Sequence, residues 1–277
     1  MKEGTPFIVT AAVLVALGGG YLWWAHQNPS QITVPPAPAA KPFPPAAPPP
    51  PPPDAAPAIQ HPVVAEAEPK ETRPLPPLAE SDSYVTEALT GLLGKKGLLG
   101  FLRVDGFVRR FVTTVDALAN ETAQADLLPV KPTPGTFSAE SATGGAIAAK
   151  NAERYRPVVS LIAAADTKRT VRIYRRLYPL FQQAYEELGY PGKYFNDRLV
   201  EVIDHLLATP DVAQPRVKVI EAPGGGQRPG HTLYQFEDPT LERKSAGQKI
   251  LLRIGHDNAE ILKTKLREVR SEIARRP

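Results

Sequence analysis

The distribution of proline constrains this 277-residue chain more than any other feature of its sequence. Of its 32 prolines, 20 lie in residues 1–79, and 19 of these fall in the 49 residues from Pro29 to Pro77. Proline fixes φ and has no N–H, so neither a helix nor a sheet can extend through such a stretch. We expect residues 26–79 to be a disordered linker, largely extended polyproline II, that serves as a spacer. The alternative is a docking ligand for an aromatic groove, and the spacer is favoured.

An apolar segment precedes the linker. Residues 7–25 contain no charged side chain, and a helix of that length spans roughly 28 Å, about one hydrocarbon core. Lys2 lies before this segment, whereas residues 26–40 contain no Lys or Arg. Positive charge stays on the cytoplasmic side, so residues 1–6 are predicted to be a short cytoplasmic end. Aromatic side chains that favour the membrane interface mark the far end of the span: Tyr21, Trp23 and Trp24.

A cleaved signal peptide is the alternative to this anchor. Cleavage after Ala25 would place Trp23 where a small residue is expected, so a retained transmembrane helix is favoured. In a bacterium with two membranes, the chain after residue 25 would then face the periplasm. The sequence therefore predicts a single-pass inner-membrane protein whose first partner is the lipid bilayer, through residues 7–25.

Composition excludes several classes of function. The chain contains no Cys, which rules out disulfides, thiolate catalysis and Cys-ligated zinc or iron–sulfur clusters. Residues 80–277 carry 29 basic and 24 acidic side chains, so strong electrostatic capture of nucleic acid is not expected. No motif in the chain implies a cofactor, and none is expected.

Residues 80–277 are predicted to form one mainly α domain with a small β-hairpin. Pro157 and Pro179 lie inside predicted helices, and whether they kink or end them is left open. The first predicted helix is capped by Ser81 or Asp82, and a second has one apolar face from Phe101 to Leu118. Three more are predicted over Ala146–Ala165, over Thr167–Leu188, and from Asn196 or Asp197 to Leu207. The last two run from Asp238 to about Ile254 and from a capping box formed by Asp257 and Glu260. A long loop is predicted over residues 120–145. Residues 216–221 and 232–236 form either the hairpin, which is favoured, or an ordered loop.

The helix predicted over residues 167–188 has two opposite faces. One face is apolar and includes Val171, Tyr174, Leu177 and Phe181. The other carries five basic residues that we call the basic face: Lys168, Arg169, Arg172, Arg175 and Arg176. Such a face could bind an anionic partner, such as a phospholipid head group or an acidic protein surface. A solvated helix face, with or without acidic neighbours, is the favoured interpretation.

A second candidate is a polar cluster of Glu201, Asp204 and His205 on one predicted helix. Glu201 and His205 are four residues apart and therefore neighbours on one face. Two carboxylates and an imidazole could bind a metal or provide a base. Because a metal site needs further ligands, a surface ion pair or a capped core histidine is the favoured interpretation.

Five long segments resemble the domain of unknown function 3014 family. They are LAESDSYV (Leu78–Val85), RRFVTTVDAL (Arg109–Leu118), NAERYRPVV (Asn151–Val159), the stretch Tyr174–Pro210 and the stretch Tyr234–Gly255. The resemblance implies a proteobacterial protein with an N-terminal membrane span and a proline-rich linker. It implies no activity, substrate or catalytic residues.

Two functions follow as hypotheses. The leading one is a non-catalytic, membrane-tethered periplasmic module that binds an envelope protein or organises the envelope. The runner-up is a periplasmic hydrolase or metal-dependent enzyme that uses Glu201, Asp204 and His205.

Overall fold

The computed structural model of the protein describes residues 58–63, 73–123, 127–220 and 232–274. The predicted cytoplasmic end, the predicted transmembrane helix over residues 7–25 and most of the predicted linker lie outside the described residues. Among the residues that are described, none of the helices is both long enough and apolar enough to cross a membrane.

The described residues form a mainly helical fold with a small antiparallel sheet, as predicted. A short 3-10 helix, Leu78–Glu80, comes first. The α-helices are α1 (Asp82–Phe101), α2 (Phe107–Leu118), α3 (Lys150–Ala163), α4 (Thr167–Glu187), α5 (Phe195–Leu207), α6 (Pro239–Glu242), α7 (Ala246–Arg253) and α8 (His256–Ile273). Helix α1 is kinked at Gly94, whose φ of 63° is not helical. The strands are β1 (Ala139–Ser141), β2 (Gly144–Ile147), β3 (Arg216–Ile220) and β4 (Leu233–Phe236), paired in the order β1-β2-β3-β4.

The main core lies between the helices and contains an aromatic cluster. Phe195, at the start of α5, has no exposed surface. Its ring centroid lies 6.1 Å from that of Phe111 on α2, and 5.9 and 5.6 Å from those of Phe181 and Tyr185 on α4. These distances are typical of favourable edge and tilted aromatic contacts. The cluster joins α2, α4 and α5 and holds the start of α5 in place.

Both internal prolines lie within continuous helices. Pro157 is inside α3 and Pro179 is inside α4, and neither ends its helix. Each proline leaves the carbonyl four residues earlier without its helical N–H partner. Both rings are exposed, so water can reach this side of each helix and bond to that carbonyl. Of the two outcomes that the sequence left open, an end of the helix is thus excluded at both positions.

The predicted helical face from Phe101 to Leu118 is wrong at its beginning. Phe101 ends α1, and Leu102 forms an isolated bridge with Val130. The next helix begins only at Phe107, after Gly106, whose φ of 58° is in the left-handed region. The Gly106 N–H donates to the Asp82 carboxylate at 2.8 Å. A turn that favours glycine therefore separates the two helices. The apolar residues on both sides of this turn keep the three- and four-residue spacing of a single helix, which is why the sequence predicted one.

The sheet confirms the predicted hairpin and corrects the predicted loop. Strands β3 and β4 pair antiparallel, with Val217 opposite Phe236. Residues 120–145 are not a continuous loop, because β1 and the start of β2 lie within this range and β2 pairs with β3. Ala146 accordingly belongs to β2, and the helix predicted from that residue begins at Lys150.

The C-terminal helices begin and end differently from the prediction. Asp238 caps a helix as expected, accepting the Thr240 N–H at 2.7 Å, but that helix ends at Glu242. Ser245 then caps a separate helix by accepting the Gln248 N–H, which breaks the predicted run to Ile254. The last helix begins at His256 with Gly255 as its N-cap and no side-chain cap, so the predicted Asp257–Glu260 capping box is wrong.

Candidate functional site

Part of the predicted linker lies against the domain. Residues 58–63, which we call the docked segment, contact the first turn of α5. The backbone N–H groups of Gln60 and His61 donate to the two carboxylate oxygens of Asp197, at 3.0 and 2.7 Å. The His61 carbonyl accepts from Nδ2 of Asn196 at 2.8 Å, and Val63 packs against the main core. The docked segment therefore contributes only main-chain groups to these three hydrogen bonds.

Asn196 and Asp197 bind this segment, and Tyr174 holds Asn196 in place. We call these three side chains the linker clamp. Asn196 has no exposed surface. Its Oδ1 accepts from the Tyr174 hydroxyl at 2.9 Å, and its Nδ2 also donates to the Ile273 carbonyl at the end of α8. Burial raises the pKa of Tyr174 well above its usual range, so this hydroxyl remains a donor. The Asp197 carboxylate lies in the first turn of α5, where the helix dipole favours a negative charge.

The linker has a second fixed point on the domain, at Arg73. Arg176 on α4 donates to the Arg73 carbonyl at 2.7 Å and to the Tyr84 hydroxyl at 2.6 Å. The Arg73 guanidinium lies 5.1 Å from the centroid of the Tyr84 ring and forms an ion pair with Glu87 at 2.9 Å. This point also depends on a main-chain carbonyl of the linker.

The basic face predicted on α4 is in part an internal contact surface. Arg169 donates to the Gly91 carbonyl of α1 at 2.9 Å. Arg175 donates to the Glu272 carbonyl near the end of α8 at 3.1 Å. Together with Arg176, three of the five basic residues thus bind backbone carbonyls of this chain. Lys168 and Arg172 are exposed on the same helix.

The polar cluster on α5 does not converge on one point. Glu201 forms an ion pair with Arg198 at 3.0 Å, whereas Asp204 binds Arg270 of α8 through both carboxylate oxygens. Nε2 of His205 is buried and has no hydrogen-bond partner. Within the described ranges, no group of three or more His, Cys, Asp or Glu side chains is placed to hold a metal ion.

Beside this cluster lies an ion pair that the sequence did not indicate. Arg198 donates to the Asp116 carboxylate of α2 at 2.9 Å, and the Tyr190 hydroxyl donates to its other oxygen at 3.0 Å. The side chains of Arg198 and Asp116 are only 18% and 15% exposed. This pair fixes α5 against α2, and no local spacing relates residues 82 positions apart.

The histidine of the polar cluster should make stability depend on pH. Burial of the imidazole, helped by the charges of Arg198 and Lys244, lowers the pKa of His205 from its ordinary value of 6.5. A lowered pKa means that the unfolded chain binds the proton more readily, so this stability is present above about pH 6.5 and is lost as the pH falls below it.

We therefore expect the free energy of unfolding of the native protein, measured with denaturant, to fall between about pH 7.5 and about pH 5. In a His205→Gln variant it should fall less. The two proteins should have parallel stability profiles above about pH 7.5, where the imidazole is neutral in both states. Equal losses in the native protein and the variant at low pH would contradict the expectation.

The clamp residues were predicted only as parts of helices. The sequence indicated Asn196 or Asp197 as the start of a helix and placed Tyr174 on an apolar face. In the structure the N-cap of α5 is Tyr194, which makes no side-chain cap, and Asn196 and Asp197 bond to the docked segment instead. Nothing in the local pattern distinguishes these contacts from helix capping.

Comparison with known proteins identifies a family and no individual relative. The family model described as "Protein of unknown function (DUF3014)" matches residues 107–270, from the start of α2 to the last turn of α8. No curated protein and no solved structure matches the chain. Four of the five segments that carry the resemblance lie within the matched range, and Leu78–Val85 lies before it. Since the match covers more than half of the 277 residues, this chain belongs to the DUF3014 family.

Proposed function

We propose that this protein is a single-pass protein of the bacterial inner membrane that presents a non-catalytic binding domain in the periplasm. In this proposal residues 1–6 are cytoplasmic, residues 7–25 cross the bilayer, and the linker carries the domain away from the membrane. The domain binds an envelope protein or helps to organise the envelope. The support from the sequence is the order of an uncharged apolar segment, a proline-rich stretch and a helical domain.

One structural observation carries the proposal: the linker is hydrogen-bonded to the surface of the domain at two points, His61 and Arg73. These bonds fix the place on the domain surface where the linker attaches. Residues 26–57 remain between the predicted span and the docked segment. At about 3.1 Å per residue, they would allow a separation on the order of 100 Å from the membrane.

The enzyme hypothesis gains no comparable support. Glu201 and Asp204 bind different arginines, and His205 has a buried nitrogen without a partner. A general base must lie within hydrogen-bond reach of the proton that it takes, with a group that orients it. These contacts favour a structural role for the cluster, in which Asp204 joins α5 to α8 and Glu201 pairs with Arg198, the residue that binds Asp116 of α2.

Cysteine labelling tests the proposed topology, because the native chain contains no Cys. We expect a membrane-impermeant maleimide to label a full-length Lys168→Cys variant in cells whose outer membrane alone has been permeabilised. A Thr5→Cys variant is the matched control and should be labelled only after the inner membrane is broken. Labelling of Thr5→Cys but not of Lys168→Cys in the same cells would overturn the topology.

A further inference from the structure

We propose that the linker clamp is a binding site for an extended, proline-containing peptide segment of a partner protein, and that the docked segment occupies this site in cis until the partner's segment replaces it. This inference rests on the proposed function, in which the domain meets other envelope proteins, and it names the site and the class of ligand.

The clamp recognises main-chain groups. Two consecutive N–H groups, from Gln60 and His61, bind one carboxylate, and the carbonyl of His61 binds an amide. Recognition through the backbone is how extended peptides bind in strand-addition complexes, and it tolerates many side chains. The Ile59 side chain is 45% exposed and Gln60 is exposed, so these two positions contribute little besides their backbone.

The residues after the two N–H groups define the ligand more closely. Pro62 confines His61 to extended backbone before it binds, because the residue that precedes a proline avoids the helical region. Proline has no N–H, and none is needed at that position, since both donated N–H groups come before it. Val63 then packs against the main core. The ligand class is therefore an extended segment with two free N–H groups, then proline, then an apolar residue.

The clamp is a built site. A buried amide is costly unless its polar atoms are bonded. The domain itself bonds Oδ1 of Asn196 through Tyr174 and one Nδ2 hydrogen through the Ile273 carbonyl. The second Nδ2 hydrogen is directed at the peptide carbonyl. Asn196 is thus held in the binding orientation by groups that do not belong to the linker.

The docked segment is weakly held compared with a segment of the core. Its described attachment is three hydrogen bonds, one of them exposed, and the half-buried side chains of His61, Pro62 and Val63. Nδ1 of His61 is buried there without a hydrogen-bond partner, which weakens the attachment further. A tether keeps such a segment at an effective concentration on the order of millimolar, so modest contacts maintain it in place. A partner segment that makes additional contacts outside the clamp can compete with the docked segment. The clamp then binds the partner's segment instead of residues 58–63.

The test uses the full-length protein in detergent and a fluorescent peptide with the sequence of residues 56–66, APAIQHPVVAE. Anisotropy should show binding at least about tenfold tighter to a chain whose residues 58–63 are replaced by Gly-Ser repeats, since the competing segment is then absent. Asp197→Ala in that chain should weaken binding by at least about tenfold, because both N–H groups lose their acceptor. Asp257→Ala, an exposed aspartate in the first turn of α8, is the matched control and should leave binding unchanged.

A peptide methylated on the backbone nitrogens of Gln60 and His61 keeps every side chain and should not bind. Equal binding to native and Gly-Ser chains, or binding that survives Asp197→Ala or the methylation, would overturn the proposal. So would unfolding of the Gly-Ser chain, because a segment that the fold requires cannot be exchanged. If the peptide fails to bind while Lys168→Cys is labelled from the periplasm, the tethered module stands and only this site falls.

Discussion

Replacing Phe195 by alanine is expected to lower the free energy of unfolding by about 3–5 kcal/mol, the usual cost of removing a fully buried aromatic ring. The side chain has no exposed surface and contacts aromatic rings of α2 and α4. Its removal leaves a cavity between three helices and loosens the turn that carries Asn196 and Asp197. Denaturant unfolding of the full-length protein, followed by circular dichroism, measures the change.

Two controls make this result specific. Phe195→Leu keeps most of the apolar volume and should cost clearly less than Phe195→Ala. Phe101→Ala removes an aromatic ring that is only partly buried at the end of α1, so it should also cost less. A loss of less than about 1 kcal/mol for Phe195→Ala would show that the three helices do not depend on this ring.

Gly247→Ala is expected to destabilise the fold by about 1–3 kcal/mol, although alanine is the better helix former. Gly247 lies in α7 where that helix crosses α2 and α5. A Cβ atom at this position would lie 2.9 Å from the Leu118 backbone oxygen and would also collide with the Leu206 side chain. The leucine can rotate away, but the backbone oxygen belongs to α2, so the two helices must separate.

Gly100→Ala in α1 is the matched control, because a Cβ atom there meets nothing within 4 Å. That substitution should leave stability unchanged or raise it by up to about 1 kcal/mol, as helix propensity predicts. If Gly247→Ala changed the free energy of unfolding no more than Gly100→Ala does in the same thermal and denaturant measurements, α7 would not pack against α2 as closely as described.

The linker clamp changes how the proline-rich stretch is understood. The sequence alone predicts a spacer, because proline removes the hydrogen bonds of helix and sheet. The same chemistry makes its last part a good extended ligand, since a chain without internal hydrogen bonds leaves its remaining N–H and C=O groups for a partner. His61 and Arg73 use those groups on the domain. The predicted spacer role is therefore compatible with contacts between the linker and the domain.

Much of the fold followed from local patterns. The spacing of Val171, Tyr174, Leu177 and Phe181 predicted the buried face of α4, and all four side chains are buried. The β3–β4 hairpin followed from alternation, and the cap at Asp238 from an aspartate before a proline. Each of these signals depends on residues within a few positions of one another, where geometry follows from helix or strand periodicity alone.

The candidate site was decided by the tertiary structure. Asp197 meets His61 across 136 residues, Asn196 meets Ile273 across 77, and Arg198 meets Asp116 across 82. In the sequence Asn196 and Asp197 resemble helix caps, and Arg176 resembles a solvated charge. Which carbonyl or carboxylate each one binds depends on how the helices pack and where the linker returns to the domain. Local spacing carries no information about partners so distant, because only the folded topology brings them within hydrogen-bond distance.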